Sequence, residues 1–185
     1  MIREVLQDAE SRMRGAITSL EADLAAFRTG RASPHLLDKI IVEMYGVEMP
    51  LNHLAVISVP EPQQLAIRPY DGKAISSIER ALLKSDLGIM PNNDGKIIRL
   101  NLPRLSEERR RDLSRLVGKR VEEGKVAVRN VRRDALNDLR EMEKEKMVSE
   151  DEFFRGQDSL QELTDKYTKE IDVIGEKKEA EIMEV

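Results

Sequence analysis

A run of apolar residues spaced three and four apart, starting at Leu105 and passing residue 140, constrains this chain more than any other feature. Leu113, Val117, Val121, Gly124, Val128, Val131, Ala135, Leu139 and Met142 keep that spacing, which lines them along one stripe of an α-helix. The pattern predicts a helix from about Ser106 to Met147, roughly 60 Å long at ~1.5 Å per residue. A helix of that length outruns an ordinary globular core and needs other long helices beside it, as in a coiled-coil-like bundle.

Two further segments supply them. Ile2, Leu6, Ala9, Met13, Ala16, Leu20, Leu24 and Phe27 form a stripe that stops at Thr29-Gly30, and Ser33-Pro34 prevents its resumption. Ser149-Glu150-Asp151-Glu152 has the spacing of a capping box and opens another helix, with Phe153, Leu160, Leu163, Tyr167, Ile171 and Ile174 inward. The first stripe is too narrow to stand alone, and its natural partners are the two C-terminal helices.

The intervening residues 31–104 read differently. Ile40–Val42, Leu54–Val59, Leu65–Ile67 and Ile97–Leu102 are short β-rich runs. Tyr45-Gly46, Pro60-Glu61-Pro62 and Pro91-Asn92-Asn93-Asp94-Gly95 between them are turn chemistry. One helical pattern, Ile75, Ile78, Leu82 and Leu83, interrupts the strands, and all 7 prolines fall in this stretch. The expected class is therefore α+β: a three-helix bundle built from 1–30 and 105–185, interrupted by an inserted β/α/β domain at 31–104. The chain crosses between the domains at Gly30-Arg31 and Arg104-Leu105, a paired crossing that can act as a hinge.

Composition bounds the rest. Charged residues make up 36% and aromatics 3%, with no Cys. Few aromatics with high charge can mark disorder, but the regular apolar spacing points to long solvated helices with Leu, Ile, Val, Met and Ala inside. Disulfides and thiolate metal sites are excluded. No continuous apolar run suggests a signal peptide or membrane span, so a soluble, cytoplasmic monomer is expected. The net charge of −4 conceals an asymmetry. Arg109–Arg133 holds ten Lys/Arg against three Asp/Glu, whereas Glu141–Val185 holds seven against fifteen. The global balance speaks against nucleic acid; the local map does not.

Residues three and four apart share a helix face, which brings Lys125, Arg129, Arg132 and Arg133 together beside Val128, Val131 and Ala135, with Arg140 two turns beyond. Two readings stand. Guanidinium groups grip phosphates bidentately, and several in a row follow a nucleic-acid backbone. Alternatively the face is solvated and paired with acids of the third helix. The cluster Arg109-Arg110-Arg111 with Arg115 follows two acids at a helix start and reads as a solvated face. Arg28 and Arg31 flank the end of the first helix, where C-capping and RNA contact are compatible roles. His35 and His53 lack a partnered nucleophile or acid, and Asp94-Gly95-Lys96 is a hairpin turn rather than a phosphate loop. No Walker, zincin or nucleophile-elbow spacing occurs, so no catalytic, cofactor-binding or metal-ligating residue is expected. A coiled-coil adaptor or chaperone whose basic face meets an acidic protein is the competing functional class.

Arg28-Thr29-Gly30-Arg31-Ala32-Ser33-Pro34, Ser85-Asp86-Leu87-Gly88, Leu102-Pro103 with Leu105 to Arg110, and Val126 to Ala135 together resemble the ribosome recycling factor family. The resemblance covers essentially the whole chain, down to the Ile182-Met183-Glu184 ending. It implies an L-shaped protein with the bundle and the β/α/β insert as its arms. Factors of this family bind the post-termination ribosome between its subunits and contact large-subunit rRNA through the bundle. Elongation factor G with GTP then acts on the bound factor, the subunits separate, and mRNA and deacylated tRNA are released, while the factor itself hydrolyses nothing. Carried over by position, Arg129 and Arg132 fall on rRNA-contact positions, and Arg28 and Arg31 lie in the junction motif; Lys125 and Arg133 are assigned from shared helix face. Gly124 departs from the family pattern, which often has a helix former there, and Gly in mid-helix costs roughly 1 kcal/mol relative to Ala.

Overall fold

The long apolar stripe becomes a helix of 38 residues, and its two ends show why it stops where it does. In the computed structural model, which describes residues 1–183, the elements begin α1 (Ile2–Ala25), β1 (Ile41–Met44), β2 (Val47–Pro50), single-turn α2 (Leu51–Leu54), β3 (Ala55–Glu61) and β4 (Gln64–Pro69). They continue α3 (Ile75–Lys84), β5 (Pro91–Asn93), β6 (Ile98–Asn101), α4 (Glu107–Lys144) and α5 (Glu150–Met183). Glu184 of the terminal Ile182-Met183-Glu184 motif, and Val185, lie outside the described residues. The α+β class expected from the pattern is the one observed. Contacts divide the chain into two compact units, Met1–Arg28 with the chain from Glu107, and Thr29–Ser106.

In the first unit α1, α4 and α5 pack pairwise. Glu107 and Glu108 occupy the first turn of α4, where carboxylates suit the positive end of the helix dipole, and Lys144 closes the last turn. Lys146 then takes a left-handed conformation (φ 59°), and the Met147 N–H donates to the Met142 carbonyl at 2.9 Å. The capping box forms: the Ser149 N–H donates to the Glu152 carboxylate at 2.8 Å, and the Glu152 N–H donates back to Ser149 Oγ at 3.2 Å. The interior is aliphatic, with Met13, Val117, Val128, Leu139, Leu160 and Ile171 buried. Ile17, not the expected Ala16, faces inward on α1. Both lie a helical step from Met13, and the larger apolar side chain takes the core position. α1 also ends at Ala25, ahead of the predicted Thr29-Gly30, with the Phe27 N–H closing on the Leu24 carbonyl at 3.1 Å.

The second unit contains a two-stranded sheet, β1-β2, and an antiparallel four-stranded sheet ordered β3-β4-β6-β5. Its core joins Val42, Leu51, Leu65, Ile67, Ile78, Leu82, Ile98 and Leu100. Tyr45 and Gly46 both have positive φ, 54° and 74°, as a two-residue hairpin turn of the primed type requires. Two strands were not legible in the sequence. Val47–Pro50 is β2, and Pro91-Asn92-Asn93, expected as part of a turn, is β5. Pro is tolerated in β5 because it is an edge strand, where a missing N–H removes no ladder bond on the open side. The Asn93 amide donates to Glu79 of α3 at 3.1 Å, which anchors the edge. Pro60 and Glu61 likewise continue β3 rather than turning, with a register shift between Ser58 and Glu61.

Candidate nucleic-acid interface

Along α4 the buried line Val128, Val131, Ala135 and Leu139 fixes which way the basic residues point. With that line turned into the bundle, Arg129, Arg133 and Arg140 are exposed, while Lys125 and Arg132 are half-buried at the margin. Long cationic side chains at such margins lay their methylenes on apolar neighbours and keep the charge in water.

The four cations from Lys125 to Arg133 then differ in their partners. Lys125 forms an ion pair with Asp172 of α5, the pairing that the solvated-face reading anticipates. Arg129 reaches back two turns to Glu122 of its own helix, with Nη2 to Oε1 at 2.7 Å between two exposed groups. Such exposed pairs are worth little and exchange readily for a better acceptor. Arg132 and Arg133 make no ion pair or side-chain hydrogen bond among the described residues. The nearest acid in sequence, Asp134, is drawn away: its carboxylate accepts a hydrogen bond from Arg12 of α1 at 2.9 Å. That contact raises the Arg12 pKa further and leaves Arg132 and Arg133 without a local counter-charge. The sequence displayed Asp134 next to the arginines but not its commitment to Arg12, which lies 122 residues away.

The remaining candidates lie at the junction. Arg28 is exposed and three residues beyond the end of α1, whose last turn contains no basic residue, so a C-capping role for it is not realised. Gly30 has φ +75°, and a Cβ there would stand 3.4 Å from Leu105 Cγ and 3.5 Å from the Pro103 carbonyl oxygen. Glycine is thus required twice over, by backbone conformation and by close approach. Arg31 is exposed, and the Arg104 Nε donates to Gln63 Oε1 at 3.4 Å. Gly30, Arg31, Arg104 and Leu105 all belong to the second unit, and the chain passes between units at residues 28–29 and 106–107.

A second polar cluster sits on the bundle between α1 and α5. The buried Tyr167 hydroxyl donates to Glu10 Oε1 at 2.8 Å and accepts from Arg14 Nε at 2.9 Å. The tyrosine bond, and a second that Arg14 Nη2 donates to Glu10 Oε1 at 2.9 Å, hold the Glu10 carboxyl below its ordinary range, the tyrosine contact contributing most. Every member of this cluster is satisfied internally, so it locks helices together rather than awaiting a ligand. His35 is held on Asp38 at 3.0 Å in an exposed turn, and among the described residues no group of three or more His, Cys, Asp or Glu is placed to hold a metal. No described helix is long and apolar enough to cross a membrane.

Known proteins are similar to this chain in sequence and in fold. Residues 20–183 match the family described as ribosome recycling factor. A ribosome-recycling factor of Roseiflexus castenholzii is 55% identical over 185 residues, 100% of both chains. That of Halalkalibacterium halodurans is 56% identical over 185 residues, again 100% of both chains. A solution structure of the ribosome recycling factor superposes with TM-score 0.75 at 43% identity, covering 100% of this chain and 98% of that one. A second similar structure, with TM-score 0.64, 43% identity and 98% of each chain covered, belongs to models of the T. thermophilus ribosome recycling factor and E. coli elongation factor G bound to the E. coli post-termination complex. Motif, fold and full-length identity agree, and the chain belongs to the ribosome recycling factor family.

Proposed function

We propose that this chain binds the post-termination ribosome at the subunit interface and docks on large-subunit rRNA through the α4 face around Arg129, Arg132 and Arg133. With elongation factor G and GTP it then promotes subunit separation and release of mRNA and deacylated tRNA. The observation that carries the docking is the uncompensated pair Arg132–Arg133, set on a rigid helix by Val128, Val131 and Ala135 while Asp134 is occupied by Arg12. Buried apolar neighbours fix the helix rotation, so the backbone that carries the guanidinium groups needs no ordering on docking and only the arginine rotamers are given up. A phosphate backbone offers the charge that the chain itself withholds from them. The choice of partners is supported by the similar T. thermophilus factor, described together with elongation factor G on the post-termination complex.

In this reading Arg129 exchanges Glu122 for phosphate on docking, and Lys125 chiefly ties α4 to α5 through Asp172. Arg28 and Arg31 extend the contact at the junction, and the crossings at residues 28–29 and 106–107, beside Gly30-Arg31 and Arg104-Leu105, act as the hinge. The chain performs no hydrolysis itself and works in the cytoplasm as a monomer. A post-termination complex disassembly assay tests the function. Splitting that requires this chain, elongation factor G and GTP together is expected. Splitting that proceeds equally without this chain sinks the proposal.

A further inference from the structure

The solvent-facing line of α4 carries one residue at odds with the rest. Lys119, Glu122, Val126, Arg129 and Arg133 follow one another at steps of three and four, and all five are exposed. They form a single stripe along the helix, and Glu122 is its one acid. Among the described residues Glu122 makes one ion pair, the 2.7 Å contact with Arg129 Nη2. That pair spans seven residues instead of the three or four usual on a helix, roughly 10 Å of axis at ~1.5 Å per residue. Arg129 reaches back past the exposed Val126 to make it. The direction suits it, because helical side chains lean toward the N-terminus. Both groups are more than half exposed, at 57% and 60%, so water screens the pair and it adds little to the stability of the bundle.

A carboxylate within a phosphate-binding stripe works against docking, because it has to be displaced before Arg129 can take a phosphate. We infer that Glu122 is a built-in competitor for RNA phosphate at Arg129, holding the affinity of the α4 face down and speeding its release. Whenever a phosphate contact at Arg129 breaks, the Glu122 carboxylate stands within reach to take the guanidinium back. Lys119 and Arg133 form no ion pair among the described residues, so within the stripe the competition is confined to Arg129. A factor that serves one ribosome after another has to leave each of them, and a self-limited contact lets it do so. The inference rests on the RNA-docking reading proposed above and adds to it the residue that sets how long docking lasts.

The test is a double-mutant cycle on the full-length chain and purified post-termination ribosomes. Glu122→Gln keeps the shape and helix propensity of the side chain but removes its charge. It should bind roughly twofold to fivefold tighter, dissociate correspondingly more slowly and show a steeper salt dependence, with an unchanged melt. In an Arg129→Ala background the same substitution should bring no gain. Glu123→Gln removes an equal charge one residue along, from an acid paired with Arg120, and should bind as the parent does. Unchanged or weaker binding by Glu122→Gln overturns the inference, as does a gain that survives Arg129→Ala or is matched by Glu123→Gln. Tighter binding that arises only from faster association overturns it too. Arg129→Ala that binds as tightly as the parent overturns the docking reading at that residue and the inference with it, so the two failures are told apart.

Discussion

Arg132 carries its charge differently from its neighbours: half-buried, beside an apolar line, and with its adjacent acid committed to Arg12. Removing it costs the fold little, because it forms no internal pair among the described residues, but removes a charge-assisted contact from any phosphate ligand. Arg132→Ala should therefore weaken ribosome binding roughly ten- to a hundredfold and flatten its salt dependence, with helical content and melting nearly unchanged. Equilibrium binding over a salt series beside a thermal melt checks both halves; retained affinity, or a melt that collapses, contradicts the assignment. Asp94 makes a different kind of statement. Its carboxylate accepts the backbone N–H groups of Ile97 and Lys96 and a bond from Arg99, which hold its pKa down from 3.8 to about 2. A depressed folded-state pKa adds stability that is complete above 3.8 and is lost as the pH falls toward about 2. NMR titration of the Asp94 carboxyl should give a midpoint of about 2, and Asp94→Asn should remove that part of the acid dependence of hairpin unfolding. A midpoint at the ordinary 3.8 would show that the turn bonds do not persist in solution.

Among the elements, the bundle helices tolerate glycine for different reasons. A Cβ on Gly124 would stand 3.5 Å from Ile171 Cδ1 and 3.6 Å from Leu20 Cδ2, which is ordinary contact. On Gly175 it would stand 2.6 Å from Val121 Cγ2, a branched side chain with little freedom to withdraw. Gly124→Ala should then raise stability by about 1 kcal/mol through helix propensity, whereas Gly175→Ala should lower it by roughly 1–3 kcal/mol through overpacking. Chemical denaturation of the two variants decides, and equal effects would mean that α4 and α5 pack more loosely than described. The stripes of α1, α4 and α5 could be read in the sequence because burial enforces spacing over many turns. Ile17 was missed because positions 16 and 17 both satisfy the step from Met13. The short edge strands β2 and β5 were missed because Pro, Asn and Glu are poor strand formers, and there sheet pairing and the Asn93–Glu79 contact override local propensity. The basic face was legible as a set of residues, but which members were free was not. Pairings such as Arg12–Asp134 and Lys125–Asp172 join residues on different helices, well beyond the reach of a helical repeat.

In the molecule as a whole, two units joined by two crossings divide the proposed labour: one docks, the other takes up the action of partners. The chain has 0 Cys, so an introduced disulfide is chemically unambiguous. A disulfide that joins one unit to the other beside the crossings at residues 28–29 and 106–107 should leave ribosome binding intact and impair splitting, with reduction restoring it; splitting at the uncross-linked rate would make the hinge dispensable. Everything in the proposed function depends on the α4 arginine face seating the protein on large-subunit rRNA. Chemical footprinting of rRNA on purified post-termination ribosomes reads that seating at the nucleotide level, with the parental chain and Arg132→Ala compared at equal concentration. A discrete set of large-subunit nucleotides should be protected by the parental chain and exposed again with Arg132→Ala. Protection that is absent with the parental chain, or unchanged by the substitution, would show that the protein is seated by some other surface.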